Sequence, residues 1–581
     1  MLLCLMTTVT HMRQVIYTCV CVCEKKLVEN NLNDKKKLFS LYFQCLEKPL
    51  SPHYNGGIVV NPEFNEGLNG WTSFGYAKIR HEKANDGNKY IAATARNQAH
   101  HSVSQQFDFD KDKLYTFSAW LQVSKGSADV AAVFKTANGS IIAGWVSAKE
   151  GCWSMLKGGL VVDVSGHAQL YFQCENSTID IRADSVSLQP FTQEEWKSHQ
   201  DLNIQKVRKT KVKFQAMDQL NRPIRNATVS MSLRRSNFPL GCAINQNILG
   251  NTAYQNWFTS RFHYTVFENE LKWYSTERTR GAEDYSVSDA LMKFAKSHGI
   301  SVRGHNILWD DPSRQPSWVP SLSTNDLRAA ADRRVDSVTR RYRGQLIHWD
   351  VMNENLHFDF FESRLGQGAS LKYYLRAQRD DPKTVPFLND YNTIEECSDA
   401  ASSPRRYLDK LNGIWKGGFK GTIGIGVQGH FRFANLPYMR SAIDILATAK
   451  VPIWVTELDV GPGPDQARDL ESIMWELHSH RAVKGIVLWS AWGPQGCYRM
   501  CLTDNNFRNL ATGDVVDRFK AAAEEEASGM TDAEGFFEAS VFHGEYEAKV
   551  THPNGEGFCS VKAISLVPEK ASPVFRFNIT V

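Results

Sequence analysis

The sequence predicts a multidomain protein whose largest part is a (β/α)8 barrel, the TIM-barrel fold. A jelly-roll-like all-β sandwich precedes this barrel, and a small β-rich C-terminal segment follows it. Three observations lead to this prediction. The chain of 581 residues is too long for one compact core, one long region alternates short apolar runs with helical patterns, and the region before it consists of strand-like segments separated by turn residues.

The β-sandwich is predicted over residues 54–192. This region contains short segments such as KLYTFSAWLQV and AQLYFQC, separated by Gly, Asn and Asp. Strands of this length at regular spacing are typical of a sandwich. Residues 1–53 differ, because His11 and Arg13 split two short apolar patches and neither a basic start nor a small-residue cleavage site is evident. We interpret them as an uncertain leader, disordered or not a proper signal peptide.

Two smaller segments flank the predicted barrel. Residues 193–238 read as a charged helical stretch followed by a brief β segment, which we interpret as a linker that docks on the next domain. Residues 527–581 turn β-like again, and we predict a small accessory segment there.

The barrel is predicted over residues 239–526. Short apolar runs such as ISVRGHNILW and VPIWVTELDV alternate with helix-like patterns, as in the roughly 250 residues of a (β/α)8 barrel. The alternative is an open doubly wound sheet, which would usually show fewer strands and a Gly-rich first turn. No GxGxxG pattern follows any of these runs.

Composition narrows the classes of partner. The net charge of +4 is close to neutral for this length, so we expect no nucleic acid partner. No stretch approaches the ~20 apolar residues of a transmembrane helix, so we expect no membrane partner, and we expect a monomer. The aromatic content of 11% suits large cores or surfaces that stack on flat ligands such as sugar rings.

The cysteine pattern argues against a metal site. No CxxC pair has a matching His or Cys partner, and we predict neither a metal nor a cofactor. Cys497 and Cys501 either form a disulfide or remain two buried thiols. Sequons that permit glycosylation of a secreted protein occur at Asn138, Asn176, Asn226 and Asn578.

Polar and aromatic residues stand where nearly all the predicted barrel strands end. The active site of a (β/α)8 barrel lies at these ends, whereas a purely structural barrel could end its strands in Gly, Ser or Thr. We therefore interpret them as one site. The endings are Glu268, Asn269 and Lys272; His305 and Trp309; Asn353 and Glu354; Asn389 to Asn392; Gln428 and His430; Glu457 and Asp459; and Trp489.

Glu354 and Glu457 are the best reactive pair among these residues, because no GxSxG elbow or metal-ligand trio occurs at the strand ends. They lie about three βα units apart, at ~31 residues per unit, and so face each other across the rim. A retaining glycosidase uses two carboxyl groups ~5–5.5 Å apart in this way. Trp309 and Trp489 offer faces for pyranose rings, with ordinary core packing as the alternative for each.

Residues next to Glu354 and Glu457 are suited to orient these carboxyl groups and to control their ionisation. His430 and Asp459 could form a hydrogen-bonded pair that orients Glu457 and keeps it ionised, which favours Glu457 as a nucleophile. Asn353 is a donor suited to a sugar 2-hydroxyl, a contact that strengthens in the transition state of glycoside cleavage.

Several of these stretches resemble the signature motifs of glycoside hydrolase family 10, the endo-1,4-β-xylanases. The motifs are WDVMNE, RGHNILW, LNDYN, GVQGH and WVTELDV, in the family's order over roughly residues 239–515. The resemblance implies that Glu354 is the acid/base and Glu457 the nucleophile. It also implies substrate contacts from Glu268, Asn269, Lys272, His305, Trp309, Asn353, Gln428, His430 and Trp489. The flanking text is similar to plant members that carry a family 22 carbohydrate-binding module ahead of the barrel.

The chain departs from the family's pattern at two places. The common W-H-S-Q is here Trp309-Asp310-Asp311-Pro312, which lacks the His and Gln contacts. The second aromatic of W-G-x-x-D-x-x-S-W is missing after Trp489, because Trp492 falls too early. One stacking wall of the cleft is therefore not accounted for.

These observations predict an endo-acting retaining glycoside hydrolase that cleaves internal β-1,4-xylosidic bonds of xylan or arabinoxylan. The expected location is extracellular, in the plant cell wall. One alternative is a xylan transglycosylase, which differs only in what reaches the covalent intermediate. Another is a wall-polysaccharide-binding protein with weakened catalysis, which the altered tryptophan loop favours and the intact glutamates oppose.

Overall fold

The computed structural model describes residues 46–524, 526–555, 558–568 and 573–580. The prediction of a leader therefore lies outside the described residues up to residue 45. Among the helices described, none is long and apolar enough to cross a membrane.

The N-terminal domain is a sandwich of two five-stranded antiparallel sheets, as predicted. One sheet has the order β1-β4-β9-β6-β7 and the other β2-β3-β10-β5-β8, and apolar residues of both fill the space between them. The strands are β1 (Thr72–Phe74), β2 (Lys78–Lys83), β3 (Lys89–Thr94), β4 (Ser102–Phe109), β5 (Leu114–Val123), β6 (Ser127–Thr136), β7 (Gly139–Lys149), β8 (Ser154–Leu160), β9 (Gly166–Gln173) and β10 (Ile181–Phe191).

Helix α1 (Gln193–Val207) joins the sandwich to the rest of the chain and packs on the barrel. It begins with a capping box, in which Thr192 and Glu195 exchange hydrogen bonds. Its Trp196 Nε1 donates to Glu476 Oε2 at 2.8 Å, and Gln200 donates to the same oxygen at 2.7 Å. The buried amide and indole donors therefore fix this helix to the barrel.

The segment after α1 and the C-terminal segment form one small β-sandwich. Strand β11 (Lys209–Met217) lies between β24 (Phe536–Phe542) and β27 (Val574–Asn578), and strand β12 (Thr228–Ser236) lies between β23 (Ala527–Met530) and β25 (Gly544–Thr551). Strand β26 (Cys559–Leu566) extends the second sheet. The division into a linker and a separate accessory segment is therefore wrong. Two strands alone could not bury their apolar faces, and the partners that cover Val212 and Phe214 come from the far end of the chain.

The central domain is a closed barrel of eight parallel strands, which confirms the predicted fold. The strands run in the order β13-β14-β15-β17-β18-β19-β21-β22, and both β13–β22 and β15–β17 are paired. Two-residue strands β16 and β20 extend the rim beside β17 and β21. The bounds are β13 (Leu240–Ile244), β14 (Tyr264–Phe267), β15 (Ser301–Gly304), β16 (Leu308–Trp309), β17 (His348–Asn353), β18 (Val385–Asp390), β19 (Gly424–Val427), β20 (His430–Phe431), β21 (Ile453–Val460) and β22 (Val483–Leu488).

Helices surround the barrel and cover its outer face. Their apolar sides pack on the strands in the largest core cluster of the protein. The helices are α2 (Thr252–Thr259), α3 (Trp273–Thr276), α4 (Ser286–Ser297), α5 (Thr324–Arg341), α6 (Phe360–Leu365), α7 (Ala369–Asp380), α8 (Pro404–Lys416), α9 (Leu436–Ala447), α10 (Gln466–Ser479) and α11 (Ala511–Ala523).

The N-terminal sandwich docks directly on the barrel. Ser441 of α9 donates to the carbonyl of Gly158 in β8 at 3.0 Å, and a β-carbon at Gly159 would clash with Pro437. Trp145 of β7 donates its indole N–H at 2.8 Å to the carbonyl of Cys397, in the loop after β18. The sandwich therefore touches a loop whose first residues line the cleft described next.

Candidate active site

A cleft of about 590 Å³ opens at the C-terminal ends of the barrel strands. All eleven residues predicted to be catalytic or to bind substrate line it, and Asp459 lies buried behind His430. The eleven are Glu268, Asn269, Lys272, His305, Trp309, Asn353, Glu354, Gln428, His430, Glu457 and Trp489. Parallel strands that end at one rim bring together residues far apart in sequence.

Glu354 follows the last residue of β17 and adopts a left-handed backbone conformation, with φ of +57°. Its N–H donates to the carbonyl of Asn389 on the neighbouring strand at 2.9 Å. Its carboxyl group accepts hydrogen bonds from Gln428 Nε2 at 3.0 Å and from Trp309 Nε1 at 2.7 Å. A non-glycine residue in this conformation costs on the order of 1–3 kcal/mol, a strain that clusters at functional sites.

The surroundings of Glu354 favour its protonated form. Burial raises the pKa of this carboxyl from 4.5 to about 7, and the nearby Asp390 and Glu457 act in the same direction. Below about pH 7, most of Glu354 therefore holds a proton that it can donate.

Glu457 has the opposite environment, although it is equally buried in β21. Its Oε1 accepts from Asn389 Nδ2 at 2.9 Å and lies 3.8 Å from His305 Nδ1, while its Oε2 lies 3.5 Å from His430 Nε2. Burial would raise its pKa, but His305, His430 and Lys272 outweigh burial and lower the pKa to about 2. Glu457 is therefore ionised near neutral pH.

His430 carries the charge that stabilises this carboxylate. Its Nδ1 lies 3.1 Å from Asp459 Oδ1, a close charge pair, and Arg499 Nη1 lies 3.2 Å from the same oxygen. Burial would lower the pKa of His430, but Asp459 and Glu457 raise it to about 10. The sequence predicted the roles of His430 and Asp459 but not Arg499, which reaches them from a loop after β22.

Asn389 connects Asn353 with Glu457. Its Nδ2 donates to Asn353 Oδ1 at 2.9 Å as well as to Glu457, and its Oδ1 accepts from Thr456 at 2.6 Å. These contacts orient Asn353 so that its buried Nδ2 has no hydrogen-bond partner among the residues that the structure describes. A buried, unpartnered donor at the cleft is available to a substrate hydroxyl.

Lys272 lies in the wall formed by the second, third and eighth strands. Its Nζ donates to Asn269 Oδ1 at 3.2 Å and lies 4.5 Å from the ring of Trp309 and 5.5 Å from that of Trp489. Burial lowers the pKa of Lys272 and raises that of Glu268, in the same wall, to about 7. This wall offers charged donors and aromatic faces together, which suits a polyhydroxylated ligand.

His357 is a residue of the site region that the motifs did not assign. Its Nδ1 lies 2.5 Å from Asp390 Oδ1, its Nε2 lies 2.8 Å from Asp399 Oδ2, and its ring stacks on Tyr391 at 3.7 Å between centroids. Burial would lower its pKa, but the two carboxylates raise it to about 9. His357 thus supports Tyr391, which lines the cleft beyond Glu354.

The first departure from the family pattern has a structural explanation. Asp310 is buried and accepts hydrogen bonds from Asn355 Nδ2 and from the N–H of Phe361 at 2.9 Å, so it holds the loop after β17. Asp311 lines the cleft and caps the short 3-10 helix Pro312–Arg314.

The second departure concerns the aromatic wall. Trp492 lines the cleft but is mostly buried, with its Nε1 donating to Asn505 at 2.9 Å. Tyr498 also lines the cleft and is 73% exposed. It stands in a loop closed by a Cys497–Cys501 disulfide, which decides between the two states predicted for these cysteines.

No group of three or more His, Cys, Asp or Glu side chains suited to a metal ion occurs within the described ranges. The side chains of the cleft combine a carboxyl group with a raised pKa, a carboxylate with a lowered pKa, and donors and aromatic rings around them.

Two family models match the chain. Residues 230–497 match the model described as "Glycosyl hydrolase family 10", and residues 56–178 match one described as "Carbohydrate binding domain". The second match agrees with the predicted carbohydrate-binding module, and its assignment to family 22 stays a prediction.

Curated relatives cover most of the chain. "Endo-1,4-beta-xylanase 5" of Arabidopsis thaliana is 42% identical over 463 residues, which is 78% of this chain and 81% of that protein. "Endo-1,4-beta-xylanase 5-like" of the same plant is 40% identical over 481 residues, covering 81% and 83%. A solved structure, xylanase 10B from Thermotoga petrophila RKU-1 in complex with xylobiose, is 21% identical with a TM-score of 0.44, covering 50% of this chain and 95% of that one. From the family match and the two Arabidopsis thaliana relatives together, the chain belongs to glycosyl hydrolase family 10.

Proposed function

We propose that the protein is an endo-1,4-β-xylanase that hydrolyses xylan or arabinoxylan with retention of configuration. The observation that carries this proposal is the opposite state of two buried carboxyl groups in one cleft. Glu354 has a pKa of about 7 and Glu457 a pKa of about 2. Two carboxyl groups whose environments separate their pKa values in this way are suited to act as acid and nucleophile. The names of the curated relatives support xylan as the substrate.

The first step forms a glycosyl-enzyme. Glu457 attacks the anomeric carbon while Glu354 gives its proton to the leaving glycosidic oxygen, so that one C–O bond forms as the other breaks. The unpartnered Asn353 Nδ2 is placed to donate to a hydroxyl of the same sugar. Lys272, beside Trp309 and Trp489, binds the sugars on the non-reducing side.

The second step releases the sugar. Glu354, now ionised, takes a proton from water as the oxygen of that water attacks the anomeric carbon, and Glu457 leaves as a carboxylate. Two displacements at one carbon retain its configuration. Asp459 raises the pKa of His430 and so keeps its imidazole protonated, and this positive charge favours the departure of Glu457 as a carboxylate.

Endo-action follows from residues on both sides of the acid. The wall with Lys272 and Trp309 lies on one side of Glu354, whereas Tyr391 and Asn392 line the cleft after the next strand on the other side. A polysaccharide can therefore occupy the cleft on both sides of the cleaved bond.

The location proposed for the protein is extracellular, in the cell wall. The Cys497–Cys501 disulfide supports this proposal, because disulfides persist in oxidising compartments. The asparagines of all four sequons are exposed, as glycosylation requires: Asn138, Asn176, Asn226 and Asn578. The proposed reaction uses only side chains that one chain brings together in the cleft, so we propose that the protein acts as a monomer. The location can be tested by recovering the protein from cell-wall extracts and measuring whether its gel mobility changes when glycans are removed. Light scattering of the purified protein tests the monomeric state.

A reducing-sugar assay on soluble arabinoxylan tests the activity, with cellulose and mannan as control substrates and Glu457→Gln as the inactive control. We expect activity on arabinoxylan alone, and a β-configured first product by NMR. Activity on mannan without activity on xylan would refute the proposed substrate. Products longer than the xylo-oligosaccharide supplied would instead identify a transglycosylase, and tight xylan binding without turnover would identify a binding protein.

A further inference from the structure

The loop between β22 and α11 holds an exposed aromatic ring over the cleft. Tyr498 is 73% exposed and lines the cleft. Its ring centroid lies 5.9 Å from that of His430, with the two planes at 76°. An aromatic face left in water gains free energy when an apolar surface covers it.

Two anchors hold this ring in place despite its exposure. The Cys497–Cys501 disulfide closes the loop around Tyr498. The next residue, Arg499, contacts the buried Asp459 at 3.2 Å and donates at 2.5 Å to the carbonyl of Phe431. The disulfide and these two contacts restrict the positions that the exposed ring of Tyr498 can take.

The position of Tyr498 relates it to the reacting sugar. The ring of His430 lies 5.9 Å from that of Tyr498 and 6.4 Å from that of Trp489, between centroids. His430 also lies 3.5 Å from Glu457. Tyr498 is therefore separated from the carboxylate that attacks the anomeric carbon by the ring of His430 alone.

We propose that Tyr498 is a sugar-stacking residue for the β-1,4-linked pyranose bound next to Glu457, and that the Cys497–Cys501 disulfide positions its ring. This inference rests on the proposed function. It supplies the stacking wall that is missing from the tryptophan motif after Trp489. The ligand surface that it recognises is the apolar C–H face of a pyranose ring.

The first experiment compares Tyr498→Ala and Tyr498→Phe on xylohexaose. Stacking requires the ring and not the hydroxyl group, so we expect kcat/KM to fall at least about tenfold in Tyr498→Ala, mainly through KM, and to stay within about twofold in Tyr498→Phe. Phe558→Ala, which removes a 38% exposed ring from the small C-terminal β-sandwich, is the matched control and should leave kcat/KM unchanged. A loss below twofold in Tyr498→Ala, or equal losses in the Ala and Phe variants, would overturn the inference.

The second experiment tests the positioning role of the disulfide. The double variant Cys497→Ser/Cys501→Ser should raise KM for xylohexaose severalfold in the wild-type background. In the Tyr498→Ala background, removal of the disulfide should raise KM for xylohexaose by less than about twofold, because the ring that the disulfide positions is already absent. Independent, multiplicative losses would refute this role. A wild-type enzyme without activity on xylohexaose would refute the proposed function itself, whereas an active wild type with an unaffected Tyr498→Ala variant would refute only the inference.

Discussion

The hydrogen bond from Trp309 to Glu354 opposes the effect of burial on the pKa of Glu354, so its removal should move the basic limb of the pH profile. Trp309 Nε1 donates at 2.7 Å to Glu354 Oε2, and a donor to the ionised carboxylate lowers its pKa. Trp309→Phe removes this donor and keeps an aromatic ring. We therefore expect the pKa of Glu354 to rise above its wild-type value of about 7.

The size of the effect follows from the difference between two hydrogen bonds. A hydrogen bond to a charged group is worth about 1.5–3 kcal/mol and one to a neutral group about 0.5–1.5 kcal/mol, so the ionised form loses about 1–1.5 kcal/mol more. Since one pKa unit corresponds to 1.36 kcal/mol, the pKa should rise by about one unit. Because glycosylation requires protonated Glu354, the basic limb of kcat/KM should move from about pH 7 to about pH 8.

The assay is the pH dependence of kcat/KM on an unactivated xylo-oligosaccharide, whose leaving group needs the proton. Gln428→Met removes the other donor to Glu354 and should shift the limb in the same direction. Trp489→Phe changes a cleft tryptophan that does not donate to Glu354, and its limb should stay in place. An unmoved limb in both donor variants, or a shift to lower pH, would show that Glu354 is not the group titrating there.

Three further predictions concern Glu354 itself, Glu457 and His357. Glu354→Ala should lose most hydrolysis of xylan but still form the glycosyl-enzyme from an aryl xyloside with a good leaving group; equal slowing of both substrates would contradict its role as the acid. Glu457→Gln should lose several orders of magnitude in activity, and Glu457→Ala with azide should give an α-azide by NMR; a retained product would exclude Glu457 as the nucleophile. His357 has a folded-state pKa of about 9, above its ordinary 6.5, so its ion pairs with Asp390 and Asp399 should contribute on the order of 3 kcal/mol below pH 6.5 and lose that contribution as the pH rises through 9. Melting temperatures of wild type and His357→Gln should therefore differ most at pH 6 and converge by pH 10, and a constant difference would refute the argument.

Most of the barrel strands and site residues could be predicted from the sequence. Each barrel strand appears as a short apolar run, and the residue that ends the run lies at the rim whatever the rest of the chain does. Glu354 and Glu457 could therefore be paired from their places at the ends of the fourth and seventh predicted strands, although the structure places Glu457 within the seventh strand, β21. The conformation of Glu354, with φ of +57°, could not be read in this way, because it depends on its bond to Asn389 of the next strand.

The small β-sandwich shows where local patterns stop being informative. Strands β11 and β12 show the alternation expected of half-buried strands, but that pattern does not identify the segment that covers them. Their partners are β23 to β27, from the end of the chain. Strand pairing over such a distance depends on the shape of the intervening barrel, which alternation in one segment does not record.

The sequence by itself determined where each barrel strand ends and in what order the strands occur. Because the strands of a closed parallel barrel follow one another in chain order and end at one rim, this was enough to bring the predicted side chains together in one site. Only the tertiary structure decided the state of those side chains. Glu354 and Glu457 are the same residue type and both are buried, yet the pKa is about 7 for one and about 2 for the other. The difference comes from which charges lie within a few ångströms: carboxylates beside Glu354, and His305, His430 and Lys272 beside Glu457. Those neighbours come from different strands, and Tyr498 and Arg499 come from a loop whose closure by a disulfide brings them over the cleft.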